Sequence, residues 1–313
     1  MYSKKCKINS LKILVVLLAF NSYAQEKESI LGKWDLEVNR NGVKVPSWLE
    51  IKQSGNKALV GYFVAHNGSA RPISEVFYYD GIINFSIPPQ WDGLNDLHFQ
   101  AIVENGKIKG TLLSSEGGAH SFSGVPAPKL IRKGTITWGK SRSIFNGKNL
   151  EGWEAQSKER KNQWTVSEGV LKNPSSGINL LTVAQYDDFK LHIEASYPKG
   201  SNSGIYLRGR YEVQVEDSYG RDPDSILFGG IYGFLTPNEM AALPAGEWQV
   251  FDITLIGRRV TIVANGKTII SDQIIPGITG GAIDSKEGEP GPLLLQGDHG
   301  KVEYRNIRIQ LPK

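Results

Sequence analysis

The chain has 313 residues, 35 of them glycine and seven tryptophan, and a formal net charge of +4; its pI of about 8.9 invites nucleic acid or an anionic membrane as partner. Residues 1–24 carry four lysines, no acidic residue and the single cysteine, so without them the net charge falls from +4 to zero. A neutral chain has no charge to drive either association, and a chain without cysteine has no disulfide framework, thiol nucleophile or Cys-x-x-Cys metal site.

In chain order, Lys4, Lys5, Lys7 and Lys12 precede the apolar run 13–20 and then Ser22-Tyr23-Ala24, the three parts of a secretory signal. The run is too short to span a bilayer, and Cys6 lies ahead of it, the wrong place for a lipid-anchored cysteine. Residues 1–24 therefore read as a signal peptide, and the protein as periplasmic or secreted with no membrane anchor.

Short alternating runs follow at 33–38, 48–53, 58–65, 76–79, 82–87, 97–103 and 108–113, separated by turn residues. Asn105-Gly106 predicts a tight hairpin. The segment 28–130 thus reads as a small antiparallel β-domain. Gly32-Lys33-Trp34 is similar to the opening of lipocalin-like barrels, so the meander either closes around a ligand or fills with its own side chains. The Pro- and Lys-rich stretch 126–134 predicts a linker. A second domain, 138–313, continues with about a dozen short strands, a second Asn-Gly turn at Asn265-Gly266 and no amphipathic helix. Two stacked antiparallel sheets suit this pattern, with a closed barrel as the alternative.

Within it, Asn202 to Asp217 forms one hairpin. The period of two sends Ile205, Leu207, Tyr211, Val213 and Val215 inward and leaves Tyr206, Arg208, Glu212 and Gln214 on the other face. A three-residue loop at Gly209-Arg210-Tyr211 predicts Arg208 opposite Glu212 and Tyr206 opposite Gln214; a two-residue loop puts Arg208 on the apolar face. An ordinary half-solvated sheet, polar outside and paired by charge, has the same pattern. Other reactive side chains are Glu247-Trp248, Gln296, Asp298-His299, Glu303 and Arg305. Asp217, Asp222, Asp224 and Asp298 could gather oxygen ligands for calcium, but there is no EF-hand loop and no His pair with zinc spacing, so a solvated acidic loop is the preferred reading, no metal site is assigned and no cofactor is expected.

Several motifs in order, Phe145-Asn-Gly-Lys-Asn-Leu-Glu-Gly-Trp153, Asn202-Ser-Gly-Ile-Tyr-Leu-Arg208, Tyr211-Glu-Val-Gln-Val-Glu-Asp217, Ala245-Gly-Glu-Trp248, Asn265-Gly266, Leu295-Gln296 with His299-Gly300, and Tyr304-Arg-Asn-Ile-Arg-Ile309, resemble the 3-keto-disaccharide hydrolase family, formerly a domain of unknown function. The resemblance spans about residues 142–311. It implies an all-β chain whose C-terminal domain is a concanavalin A-like β-sandwich, with activity on glycosides oxidised at C3. In similar sandwich glucanases a Glu-x-Asp-x-x-Glu strand supplies two carboxylates; here the slots read Glu212-x-Gln214-x-x-Asp217, which disfavours that retaining route. The 3-keto route needs a base at C2, donors or a cation for the enolate, and an acid for the leaving oxygen. The resemblance and the shared face imply Glu212 or His299 as base, Arg208 and Gln214 with Arg305 at the enolate, and Asp217 as acid. Asn202, Tyr206, Gln296 and Trp248 are the substrate contacts. The expected partner is a carbohydrate, and the outcome is hydrolysis or lyase release. A lectin-like binding module and a structural exoprotein are the competing readings; aglycone and oligomeric state have no signature.

Overall fold

The computed structural model describes residues 30–91 and 93–313; the signal-peptide reading of 1–24 falls outside the described residues. Every named element among the described residues is a strand, and no helix there is long and apolar enough to cross a membrane. The chain is all-β, as the sequence pattern predicts. Among the described residues it divides into two compact units, one of residues 30–43, 49–62 and 72–126, the other of 44–48, 63–71 and 127–313.

The first unit is built on β1 (Gly32–Arg40), β2 (Val43–Ser54), β3 (Ala58–Val64), β4 (Arg71–Ile73), β5 (Phe77–Tyr79), β6 (Ile82–Ile87), β7 (Leu97–Glu104), β8 (Lys107–Leu113) and β9 (Ala119–Pro126). They form one nine-stranded sheet in the order β4-β3-β2-β1-β9-β8-β7-β6-β5. The amide of Val76, just before β5, donates to Leu59 O in β3 at 2.7 Å, so the sheet curls back on itself. Asn105 and Gly106 both take positive φ (53° and 72°) between the paired Glu104 and Lys107, the two-residue hairpin their side chains favour. The interior is filled by the unit's own side chains: Phe99 stacks between Phe85 and Phe122 with ring centroids 4.5 Å apart on each side. Strand β9 escapes sequence pattern because its inward positions are His120, Phe122 and Gly124, only one of them large and apolar.

The second unit carries β10 (Arg142–Ser143), β11 (Trp153–Ala155), β12 (Thr165–Ser167), β13 (Val170–Asn173), β14 (Leu180–Thr182), β15 (Phe189–Ser196), β16 (Asn202–Leu207), β17 (Tyr211–Glu216), β18 (Gln249–Ile256), β19 (Arg259–Ala264), β20 (Lys267–Ile274), β21 (Leu294–Leu295) and β22 (Val302–Gln310). An eight-stranded sheet runs β12-β13-β22-β15-β18-β19-β20, with β10 also on β22, and a five-stranded sheet runs β11-β14-β21-β16-β17. In β15 the residues Phe189, Leu191, Ile193 and Ala195 are buried while their neighbours face out. They share one core with Ile205, Leu207, Tyr211, Val213 and Val215 of the smaller sheet. Each large aliphatic side chain so buried contributes roughly 1.5–3 kcal/mol. The two inner faces are also pinned by a polar contact, Ser203 Oγ to Tyr304 Oη at 2.8 Å.

Candidate active site

The site grows from the hairpin of β16 and β17. Its register pairs Leu207 with Tyr211, Tyr206 with Glu212, Gly204 with Gln214 and Asn202 with Glu216. The loop therefore has three residues, as expected, but they are Arg208, Gly209 and Arg210, one position earlier than the sequence reading placed them. Arg208 and Gly209 both adopt positive φ, 54° and 65°. The slip moves Tyr206, rather than Arg208, opposite Glu212. It leaves Tyr206, Glu212, Gln214 and Asn202 on the face that turns away from the sandwich core, as the alternation predicts.

Strand β21 adds to this face. Ile205 pairs with Leu295, and the Gln296 amide donates to Gly204 O at 2.9 Å, so Gln296, Gly204 and Gln214 form one row across three strands. Gly204 is the key to the arrangement. A Cβ built there would lie 2.3 Å from Glu212 Oε1 and 2.9 Å from its Cγ. The Glu212 carboxyl thus leans over the glycine into the space a side chain would fill, between the two glutamines. Glycine in a strand interior often marks such a close approach.

Glu212 is 3% exposed, and burial pushes its carboxyl up to about 8 from an ordinary 4.5; the Tyr206 hydroxyl and the nearby His299 charge oppose the rise, and Asp298 adds to it. Its main chain is held by Thr279, whose Oγ1 accepts the Glu212 amide at 3.0 Å. Tyr206, 2% exposed, donates to Gly280 O at 3.0 Å and lies within hydrogen-bonding reach of the Glu212 carboxyl; burial, and after it that carboxyl, hold the phenol well above its usual range. His299 sits in the loop after β21 with its side chain half exposed, Nδ1 2.6 Å from Asp298 Oδ1. That hydrogen bond, with the charges of Asp298 and Glu212, raises the imidazole above 6.5 against the effect of burial. The loop is anchored by Asn173 Nδ2, which donates to Gly297 O and Gly300 O at 3.1 and 2.7 Å. The charges of Glu212 and His299 act on one another, and a carboxyl and an imidazole both of raised pKa have the protonation behaviour that acid–base chemistry requires.

Two further side chains on the face have open valences. Gln214 and Gln296 are 3% and 6% exposed, and the Oε1 of each has no hydrogen-bond partner among the described residues. Buried polar atoms are nearly always partnered.

Four of the residues expected at the site lie elsewhere. Arg208 is fully buried in the core side of the turn, donating to Asp187 Oδ1 (3.0 Å), Tyr211 Oη (3.0 Å) and Gly257 O (2.9 Å). Tyr211 in turn donates to Glu287 Oε1 at 2.8 Å, and Glu287 pairs with Arg258. This ionic cluster knits the end of the hairpin to the sequence-distant segments 187, 257–258 and 287. Asp217 accepts the Gly200 amide at 2.8 Å and closes the turn before β16. Arg305 pairs with Glu194 and stacks 3.9 Å over the Trp248 ring, on the outward face of the eight-stranded sheet. Sequence reading did not assign Gly204, Thr279 or Gly280 to the site; only the strand glycine carried a local signal. Asp298, one of the four aspartates named for calcium, partners His299. Among the described residues no group of three or more His, Cys, Asp or Glu gathers as a metal site requires.

Fold and face define a two-sheet antiparallel sandwich whose smaller sheet carries a buried carboxyl and phenol, with a half-exposed imidazole in the adjoining loop. Residues 140–310, more than half of the chain, match the family model described as the 3-keto-alpha-glucoside-1,2-lyase-like domain, and the chain belongs to this family. A 3-keto-disaccharide hydrolase of Bacteroides thetaiotaomicron is 32% identical over 120 residues, 35% of this chain and 36% of that protein, so the chain spans about a third of that curated relative. A Parabacteroides distasonis protein described as a candidate glycosyl hydrolase is 28% identical, with a TM-score of 0.46 over 57% of this chain and 92% of that one. A Bacillus licheniformis beta-glucanase is 9% identical, with a TM-score of 0.38 over 58% of this chain and all of its own.

Proposed function

We propose that the protein is an exported enzyme that cleaves the glycosidic bond of 3-keto glycosides, with Glu212 as the base. In the reaction, ionised Glu212 removes the proton at C2, which the C3 carbonyl acidifies. The electron pair moves into the C2–C3 bond and the carbonyl oxygen becomes an enolate. The enolate then expels the C1 substituent, which takes its proton from His299, leaving a C1–C2 double bond conjugated with the ketone. Water adds at C1 and a proton returns to C2, giving net hydrolysis; release before hydration gives a lyase product.

The observation that carries this reading is the Glu212 carboxyl held over Gly204 and raised to about 8 by burial. A base of that strength is better matched to a carbon acid than an ordinary carboxylate, and it still ionises near neutral pH. Asp298 holds the His299 imidazole in place and favours the protonated form. Family membership and the name of the Bacteroides relative support the substrate class. The leader 1–24, with its lysines, apolar run and Ser-Tyr-Ala, supports export.

The test is aglycone release from a 3-keto glycoside and from its unoxidised parent. Turnover of the keto compound alone, lost in Glu212→Gln, is expected. Turnover of the parent at a similar rate, or full activity in Glu212→Gln, contradicts the proposal, and binding of both without turnover favours the lectin-like reading.

A further inference from the structure

We infer that Gln214 and Gln296 select the sugar, each accepting a hydrogen bond from one of the two hydroxyls that flank the C3 carbonyl, so that the site takes glycosyl units whose C2 and C4 hydroxyls are both free. The inference rests on the function proposed above and names its substrate more narrowly.

The geometry comes from one row of the sheet. Gln296, directly after β21, lies beside Gly204 on β16 and Gln214 on β17. At 4.7–4.9 Å between strands, the outer two α-carbons are about 10 Å apart. The middle member has no side chain, and the Glu212 carboxyl occupies its place. An acceptor therefore stands on each side of the base, across a width suited to one pyranose ring.

The orientation of Gln214 is fixed by its own amide. Nε2 donates to Ile226 O at 3.1 Å and to Glu216 Oε2 at 3.4 Å, which leaves Oε1 as the free end. The main chain of Gln296 is fully used, its N–H on Gly204 O at 2.9 Å and its carbonyl accepting from Ser203 Oγ at 2.8 Å, while the side-chain Oε1 is unpartnered among the described residues. A buried acceptor without a donor weighs against the fold. Two of them beside one carboxyl mark where donors arrive.

A ketone oxygen and a ring oxygen carry no hydrogen, so neither satisfies these acceptors. Hydroxyls do. With Glu212 at C2–H and the carbonyl at C3, the hydroxyls on either side of the reacting carbons are those at C2 and C4. A unit substituted at either position, such as an internal residue of a 1,4-linked chain, cannot donate there. The substrate class is thus a 3-keto hexosyl unit attached through C1 with O2 and O4 unsubstituted, and discrimination of this kind is strong because a rejected ligand leaves the acceptor buried and unpaired.

The test uses the full-length Glu212→Gln protein, which holds the ligand without turning it over, and calorimetric dissociation constants for a methyl 3-keto glucoside and its 2-deoxy and 4-deoxy analogues. Each missing hydroxyl is expected to weaken binding about tenfold. Adding Gln214→Met is expected to erase the loss for one analogue and Gln296→Met for the other. Deoxy analogues that bind as tightly as the parent, or losses that persist in both methionine variants, overturn the inference. The analogue series in the Glu212→Gln protein decides the matter even if a methionine variant fails to fold. Wild-type turnover of the unmodified 3-keto glycoside is measured alongside: intact turnover with hydroxyl-insensitive binding sinks this inference alone, whereas no turnover sinks the proposed function as well.

Discussion

Glu212→Gln should stabilise the protein while abolishing its activity, and the gain should grow with pH. In the folded chain the carboxyl holds its proton up to about 8, whereas in the unfolded chain it releases it near 4.5. Between those values the folded state binds more protons, so stability is greatest below the lower value and falls as pH rises toward the upper one. The slope approaches about 1.4 kcal/mol per pH unit, which amounts to about 4 kcal/mol between pH 5 and pH 8. Glutamine fills nearly the same space and does not ionise. His299 also has a raised pKa, and its contribution likewise declines as pH rises, but the shift driven by Asp298 is common to both proteins and drops out of the comparison. The assay is urea unfolding of wild type and Glu212→Gln at pH 5, 6, 7 and 8. The difference in unfolding free energy is expected to widen steadily in favour of the variant. A difference that stays flat with pH refutes it, because the carboxyl would then be no more costly to ionise in the fold than in the unfolded chain.

Gly204→Ala places a methyl group 2.3 Å from Glu212 Oε1; a circular dichroism melt should show a loss of only about 1–2 kcal/mol, while kcat falls about 100-fold because the carboxyl is displaced. His299→Ala removes a positive charge that lowers the Glu212 pKa and leaves Asp298, which raises it, so the acid limb of the kcat/KM profile should move to higher pH, with kcat down about 100-fold; an unmoved limb counts against the coupling. Arg208→Met opens the buried cluster with Asp187 and Tyr211 and should cost about 3 kcal/mol in thermal or urea unfolding, yet leave kcat of the folded protein within about twofold. A collapse of kcat without loss of stability would return Arg208 to the site.

What the sequence made legible was the face, because strand alternation depends only on neighbouring residues: Tyr206, Glu212 and Gln214 fall together whichever loop is chosen within that parity. The register was less legible. Arg208 sits in the turn with a φ of 54°, a conformation its own side chain does not favour, held by partners 21 and 49 residues away at Asp187 and Gly257. No local pattern encodes such partners. Arg305 and Trp248 illustrate a different limit. Ordered motifs reveal that residues belong to one domain, not which face of which sheet they occupy, and these two stack on the outside of the larger sheet. Thr279 and Gly280, which hold Glu212 and Tyr206, have nothing in their own surroundings to mark them. Gly204 did carry a signal, a glycine amid a strand where packing normally wants a side chain.

Whether an enolate forms is read from the fate of the hydrogen at C2. A 3-keto glycoside is turned over in D2O for a short time, with product incubated alone to subtract uncatalysed exchange, and the released sugar is read by mass spectrometry and proton NMR. Proton abstraction by Glu212 predicts one deuterium at C2 of each hydrated product, a C2 without hydrogen where release precedes hydration, and no released sugar from Glu212→Gln. A wild-type product that retains its original C2 hydrogen contradicts the account, because the glycosidic bond would then have broken without the enolate.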